Sequence, residues 1–448
     1  MAERPIDPDY PGWRRNLVFI WIGVFVGLLG ANFVFPFIPF YIQELGVTDT
    51  SRVSFYTGLT ASATGLSLTL TAPIWGALAD RFGRKQMFLR ALIGAGVLIG
   101  VMGIAQAVWQ LVLLRFLMGA FAGTMGAAAA LVAATTPRAK VGYSLGILQT
   151  GVFSANMLGP VIGGGVAASL GLRESFIFCA ALYAMAAVLV FFFVGEPGRE
   201  HPAVPGEAEG AHESSGSIFD NLKTVASERQ IVVMLGLLFC LWLSTTFVRP
   251  VMPLSIDDFA RHVDGTAARE DRVHVEVPGY TGDLREEAAT GIVFGVIGLT
   301  STIAALSLAP LGQRIGYRNA VTGAAIVAGV LYIPLFVAGS YITFLLFFGA
   351  VGLFQGAMVP GTNALIAAST PDGKQGSAFG LASSMQSMAL LVGPLAGGLV
   401  GGFLGINAVY LIIGLVLIGA GVAGRALIRE PELFAGQMAS RRRRQAAG

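Results

Sequence analysis

Charge is what this sequence lacks most. Only 12% of its 448 residues are Asp, Glu, Lys or Arg, about half the share of an ordinary soluble chain. With 54% hydrophobic residues and a mean hydropathy of +0.71, a folded monomer has too few polar groups to cover its surface in water. The formal charge of +3 is too small and too scattered to point to nucleic acid. Cysteine is nearly absent: Cys179 and Cys240 lie in apolar runs, which excludes a disulfide framework and a Cys-based metal site. His201, His212, His262 and His274 sit in polar stretches without ligand-like spacing, so no metal and no cofactor is expected. No G-x-x-x-x-G-K-[ST] loop occurs, which removes direct ATP hydrolysis. No nucleophile and base share one depth in the chain, so no enzyme is expected.

Apolar length and glycine are plentiful instead. The 60 glycines suit helices that pack closely in lipid. Runs long enough to span a bilayer, which takes about 20 residues, fall near 17–42, 54–79, 87–107, 109–134, 142–170 and 174–195, and again near 230–256, 289–312, 320–339, 341–368, 375–403 and 406–428. The pattern predicts an all-α integral membrane protein with twelve transmembrane helices in two six-helix bundles. Residues 1–195 form the first bundle and 229–429 the second, with an outer loop at 257–288. The polar stretch 196–228, with Pro197, Pro202 and Pro205, reads as a linker. Its Ile218, Phe219, Leu222 and Val225 have helical spacing suited to the membrane surface. The tail 430–448 ends in Arg441, Arg442, Arg443 and Arg444, a basic cluster drawn to anionic lipid. The polar start lacks a cleavage pattern and reads as uncleaved.

Orientation follows from the basic residues. Arg14, Arg15, Arg81, Arg84, Lys85, Arg138, Lys140, Lys223, Arg314, Arg318, Lys374 and Arg425 fall on one side, and the short loops opposite hold only Arg52 and Arg173. Both termini are expected in the cytoplasm. The outer loop 257–288 mixes charges, and Val273-His274-Val275-Glu276-Val277 alternates like a strand before Pro278-Gly279. It reads either as a solvated hairpin or as a small cap over the outer mouth.

The two halves repeat one another. Pro36-Phe37-Ile38-Pro39 returns as Pro250-Val251-Met252-Pro253, and Ala72-Pro73 as Ala309-Pro310. Ala134-Thr135-Thr136-Pro137 returns as Ala368-Ser369-Thr370-Pro371. In the fifth run, Gly146, Ala155, Gly159-Pro160 and Gly163-Gly164 have the spacing of Gly380, Ala389, Gly393-Pro394 and Gly397-Gly398 in the eleventh. Duplicated halves place a shared cavity between them near the bilayer midplane.

Some of these residues also carry a resemblance. Gly76-Ala77-Leu78-Ala79-Asp80-Arg81-Phe82-Gly83-Arg84-Lys85 is similar to the loop signature of the major facilitator superfamily. Arg115 with Gly119, Gly123 and Gly126 resembles its fourth-span motif. The Gly146 to Gly164 series resembles the fifth-span motif of the twelve-span drug/proton antiporter branch, with Ala155 where that motif has glycine. The resemblance implies a secondary transporter that exports amphiphilic drugs or related small molecules through alternating access, with protons as counter-ion, lipids as surroundings and the monomer as working unit. It also implies that Gly76, Asp80, Arg81, Gly83, Arg84 and Lys85 form a gating clamp, with Asp80 facing a helix N-terminus of the other half; Gln313 stands at the matching place in the second half. Lipid, lysolipid or sugar-type transport on the same scaffold, or facilitation without protons, stays open.

The remaining candidates come from the residues. Arg115, about six residues into its span, either snorkels or serves proton coupling; Arg249, nearer an outer end, suits snorkelling. Gly159, Pro160, Gly163, Gly164, Gly393 and Pro394 are expected to kink and pack the interface. Asn32, Gln149, Asn156, Trp242, Arg249, Gln355, Asn363 and Gln386 sketch a cavity. Thr57, Thr60, Thr64, Ser67 and Thr71 line one face of span 2, where hydroxyls commonly bond their own helix. No Asp or Glu falls in mid-span, so Glu44, Asp257 and Asp258 at outer ends are the acidic coupling candidates.

Overall fold

The structure is a computed structural model. It describes residues 12–121, 123–137, 140–195, 228–264, 272–277, 280–370 and 375–431. Within helices and strands it leaves out the side chains of 72–73, 76–81, 142, 260–264, 274, 276–277, 280–281, 306, 308–311, 313 and 375–377. The linker at 196–227, the tail beyond 431 and the turn Pro278-Gly279 lie outside the described residues.

Helix is the dictated answer for an apolar chain, because in lipid each backbone polar group must be satisfied within its own segment. The spans run Trp13–Glu44, Thr50–Phe82, Arg84–Met102, Val108–Thr135, Val141–Leu170 and Leu172–Phe193 in the first half. In the second half they run Arg229–Phe259, Glu286–Ile315, Tyr317–Val337, Tyr341–Ser369, Gln375–Leu404 and Ile406–Leu427. Among the described residues, eleven helices are long and apolar enough to cross a membrane. Span 2, Thr50–Phe82, is the longest helix at 33 residues and is less apolar than those eleven because of its hydroxyl stripe. Each half buries its own apolar core. One is built from residues such as Ile20, Phe88, Leu111, Leu131 and Phe176, and the other from Met234, Val293, Val321, Phe344 and Tyr410.

Two spans break in corresponding places. Span 1 stops at Phe33, passes through a 3-10 turn at Phe35–Phe37 and resumes at Ile38–Glu44. Span 7 stops at Val248 and resumes at Met252–Asp264. Pro36 and Pro250 sit at these breaks, where each lacks the amide a continuous helix would use. Span 5 carries Pro160 and span 11 carries Pro394 inside unbroken helices.

The repeat extends to backbone geometry. Gly83 and Gly316 both cap the turn after spans 2 and 8 at φ 100° and 89°, a region open to glycine and closed to side chains. In span 2, Gly58 lies against Pro394 and Gly398; in span 8, Gly291 lies against Pro160 and Gly164. Gly58 and Gly291 are separated by the same number of residues as Gly83 and Gly316. The pairing of Ala72-Pro73 with Ala309-Pro310 read from the sequence is therefore four residues, about one helical turn, out of register.

The expected strand is present and paired. Arg272–Val277 and Tyr280–Arg285 form an antiparallel hairpin, with Val273 opposite Leu284 and Val275 opposite Gly282. Val273 and Val275 are 1% and 6% exposed and belong to the second-half core, so these two residues are seated, not solvated. Span 8 begins at Glu286, three residues earlier than its apolar run, which brings Glu286 and Glu287 into the helix as buried side chains.

The hairpin marks one end of the molecule, and the contacts of Asn16 with Gly195 and of Gln230 with Arg429 mark the other, the linker side. From the hairpin side to mid-span, span 2 packs on span 11 and span 5 on span 8. Ser51 meets Gly402, Ser54 Oγ donates to the Gly398 carbonyl at 3.0 Å, and Gly65 meets Leu390. Gly164 meets Glu287, and Gly298 meets Met157. Toward the linker side the described faces part: a Cβ on Gly146 or Gly380 would meet no described residue within 4 Å, and Phe153 and Phe379 are exposed.

Candidate functional site

The breaks in spans 1 and 7 bring irregular backbone and side chains to the contact between halves, the arrangement lipid tolerates only where a cavity is lined. Phe35 precedes Pro36, and Arg249 precedes Pro250, so the two occupy equivalent positions in the repeat. The Arg249 guanidinium lies 4.9 Å from the Phe35 ring centroid. Arg115, from span 4, lies 5.4 Å from the same centroid. Both distances are within cation–π range. Ile38, Thr57, Thr60, Ala61 and Pro250 complete the walls of a cavity of about 10 Å³, close to the room one water needs.

Arg115 is 3% exposed, and its Nε has no hydrogen-bond partner. Neither guanidinium donates to, or pairs with, any described residue. Snorkelling thus describes neither arginine. The sequence expectation for Arg249 is corrected: the break after Val248 turns its side chain inward instead of letting it follow the helix to the surface. Thr64 Oγ1 donates to the Arg115 carbonyl at 3.0 Å and to Thr60 at 3.1 Å. Thr57 and Thr71 donate to Val53 and Ser67 of their own helix. The four threonines of the stripe are therefore satisfied by carbonyls of their own helix, and Thr64 also ties span 2 to span 4, while Ser67 Oγ is buried without a hydrogen-bond partner among the described residues.

Symmetry-related rungs hold the broken spans. Asn32 Nδ2 donates to Asn156 Oδ1 at 2.9 Å, joining spans 1 and 5. Thr246, at the position equivalent to Asn32, donates to the Ala389 carbonyl at 3.0 Å, joining spans 7 and 11. Gln355 Nε2 donates to Ser244 Oγ at 2.6 Å. Gly163 faces the Phe33 carbonyl and Gly397 the Phe247 carbonyl, so the motif glycines admit backbone where a side chain would stand.

Other candidates fall elsewhere. Gln149 and Asn156 are exposed, and Trp242, Asn363 and Gln386 are partly buried. Glu44 pairs with Arg173 at 2.7 Å on the hairpin side, both side chains well exposed. Asp257 is buried and Asp258 exposed. Gly76, Asp80 and Arg81 lie in the span 2 helix, but the side chains of Asp80, Arg81 and Gln313 lie outside the described residues. Arg84 Nη1 donates to the Ala130 carbonyl at 3.2 Å and Lys85 Nζ to that of Phe191 at 2.8 Å, tying their loop to spans 4 and 6 of their own half. A larger hollow of about 540 Å³, lined by Trp13, Arg14, Lys140 and Tyr143, opens at the linker-side ends of spans 1 and 5. Its aromatic and basic walls suit the bilayer interface, and it lies away from the contact between halves. Phe35 was not read from the sequence as a site residue, although its match to Arg249 in the repeat was the available signal.

The profile of the Major Facilitator Superfamily matches residues 20–268 and 234–445, nearly the whole chain. This chain belongs to the Major Facilitator Superfamily. It is 32% identical over 430 residues to multidrug resistance protein MdtG of Citrobacter koseri, covering 95% of this chain and 98% of that one. It is 31% identical over 418 residues to MdtG of Enterobacter lignolyticus, covering 93% and 92%. Among solved structures, the nucleoside transporter NupG superposes with a TM-score of 0.69 at 14% identity, over 92% of this chain and 98% of that one. That likeness is one of fold alone. Membership of the superfamily makes the protein a transporter of small molecules, not an enzyme, and a multi-pass protein of the cell membrane.

Proposed function

We propose that this superfamily member exports amphiphilic drugs or related small molecules in exchange for protons, by alternating access between its two halves. The observation that carries the reading is the unequal contact between halves, closed from the hairpin side to mid-span and parted toward the linker side. The relatives named multidrug resistance protein supply the substrate class. The lopsided Lys and Arg distribution supports a cytoplasmic linker side and cytoplasmic termini, an orientation in which the parted side faces inward. Residues 1–195 and 229–429 rock as two bodies joined by 196–228, and the protein works as a monomer. Asp80, with Gly76, Arg81, Gly83, Arg84 and Lys85, clamps the linker side when the hairpin side opens. Gly146, Gly159, Pro160, Gly163, Gly164, Gly393 and Pro394 form the packing surface on which the halves move.

A second reading, facilitation without proton coupling, is favoured by one observation: the charged groups at the central cavity are arginines, and no mid-span carboxylate is there to titrate. The test is movement of lipophilic dyes and drugs in proteoliposomes with and without an imposed proton gradient. Gradient-driven export supports exchange, movement indifferent to the gradient supports the facilitator, and no movement of any compound sinks both in favour of a lipid or sugar substrate.

A further inference from the structure

We infer that Arg115 and Arg249 form an anion-binding subsite, so that the transported amphiphiles include ones bearing a carboxylate, sulfonate or phosphate group. The inference rests on the export reading and names a substrate chemistry for it. Two guanidiniums stand close to one ring, no further apart than their two distances to its centroid allow. They are like charges in a low-dielectric interior, where mutual repulsion is weakly screened. Both keep their charge, since arginine holds its proton in proteins. Among the described residues, the titratable groups that act electrostatically on Arg115 are Tyr183 and Cys179, neither of them a carboxylate. The Nε of Arg115 is buried and unpartnered, a cost that membrane proteins retain where a charge has work to do.

Among the described residues the Phe35 ring is the group that both guanidiniums face, and an aromatic face is a weak counter-charge. It sits in the 3-10 turn that breaks span 1, backbone without the full helical ladder of hydrogen bonds. The cavity of about 10 Å³ beside it has no room for such a group, so an anionic group enters by displacing the ring. Guanidinium matches carboxylate, sulfonate and phosphate oxygens through paired N–H donors. Because Arg115 comes from the first half and Arg249 from the second, an anion bridging them also draws the halves together at the breaks.

The test uses two dyes with one fluorophore: anilinonaphthalenesulfonate, and phenylnaphthylamine, which lacks the sulfonate. Each is titrated onto the purified full-length protein in neutral detergent. Arg249→Gln is expected to weaken sulfonate-dye binding about tenfold while changing the neutral dye less than twofold, and Arg249→Lys to restore part of the loss. Arg115→Gln repeats the test at the second cation should either variant fail to insert. Equal effects on both dyes, or sulfonate-dye binding untouched by both substitutions, overturns the inference. Phosphatidylglycerol added against phosphatidylcholine separates the sources: competition that Arg249→Gln abolishes names a lipid headgroup, and its absence names a free acid. A vesicle transport arm keeps the two readings distinct. Export of the neutral dye, with no arginine-dependent handling of the sulfonate, leaves the exporter and removes the anion site. Arginine-dependent binding without movement of either dye does the reverse.

Discussion

Gly163 and Gly397 stand where a carbonyl of a broken span passes, from Phe33 and Phe247 respectively, and backbone cannot swing aside as a side chain can. Gly163→Val and Gly397→Val should each destabilise by about 1–3 kcal/mol or more, the cost of overpacking, whereas Gly146→Val should meet no neighbour. Thermal unfolding in detergent compares them, and equal losses at Gly146 and Gly163 would remove the packing argument. The glycine series was legible from its repetition, but spacing names no partner, so the sequence did not tell the packed glycines from the open ones. Arg249 shows the same limit, because its direction depends on a break whose geometry only the fold displays. At Asp80, the clamp proposal predicts that Asp80→Asn inserts normally and loses most of its transport; wild-type rates in the vesicle assay would discard the clamp.

At the scale of elements, the hairpin between spans 7 and 8 is the part most changed by seeing it folded. Its alternation was readable in Val273, Val275 and Val277, but alternation cannot reveal what the apolar face rests on. The structure seats Val273 and Val275 in the second-half core, and Arg285 at the hairpin's root donates to the Ala168 carbonyl of span 5 at 3.0 Å. Val273→Ser with Val275→Ser should together cost about 3–6 kcal/mol, given about 1.5–3 kcal/mol for fully burying each valine. Limited proteolysis of the 257–288 loop and thermal unfolding report the loss; an unchanged melting profile would return the hairpin to the status of a solvated loop. The span limits were mostly legible because bilayer thickness fixes them. The start of span 8 was not, because Glu286 and Glu287 look like loop residues until their burial is seen.

For the whole molecule, the proposal of two rocking halves makes the hairpin-side seam a gate. Ser51 and Gly402 face each other across it, with a Cβ on Gly402 falling 3.7 Å from the Ser51 Cα, within reach of a disulfide. In a background with Cys179 and Cys240 replaced, Ser51→Cys with Gly402→Cys should crosslink under oxidation and stop transport, and a reductant should restore it. Full transport by the crosslinked protein would mean that this seam never opens. The duplication that lays out these halves was the clearest message in the sequence, because chance does not set Gly-Pro pairs and their flanking glycines at identical spacing in two spans.

That duplication has a consequence at its own centre. Phe35 and Arg249 hold equivalent places and touch, so they flank the pseudo-twofold axis. Two identical copies of a half-length ancestor, assembled as a symmetric pair, would have to present ring to ring or cation to cation there. A ring against a cation is open only to halves that differ, so the contact at the heart of this transporter depends on the divergence of its two halves.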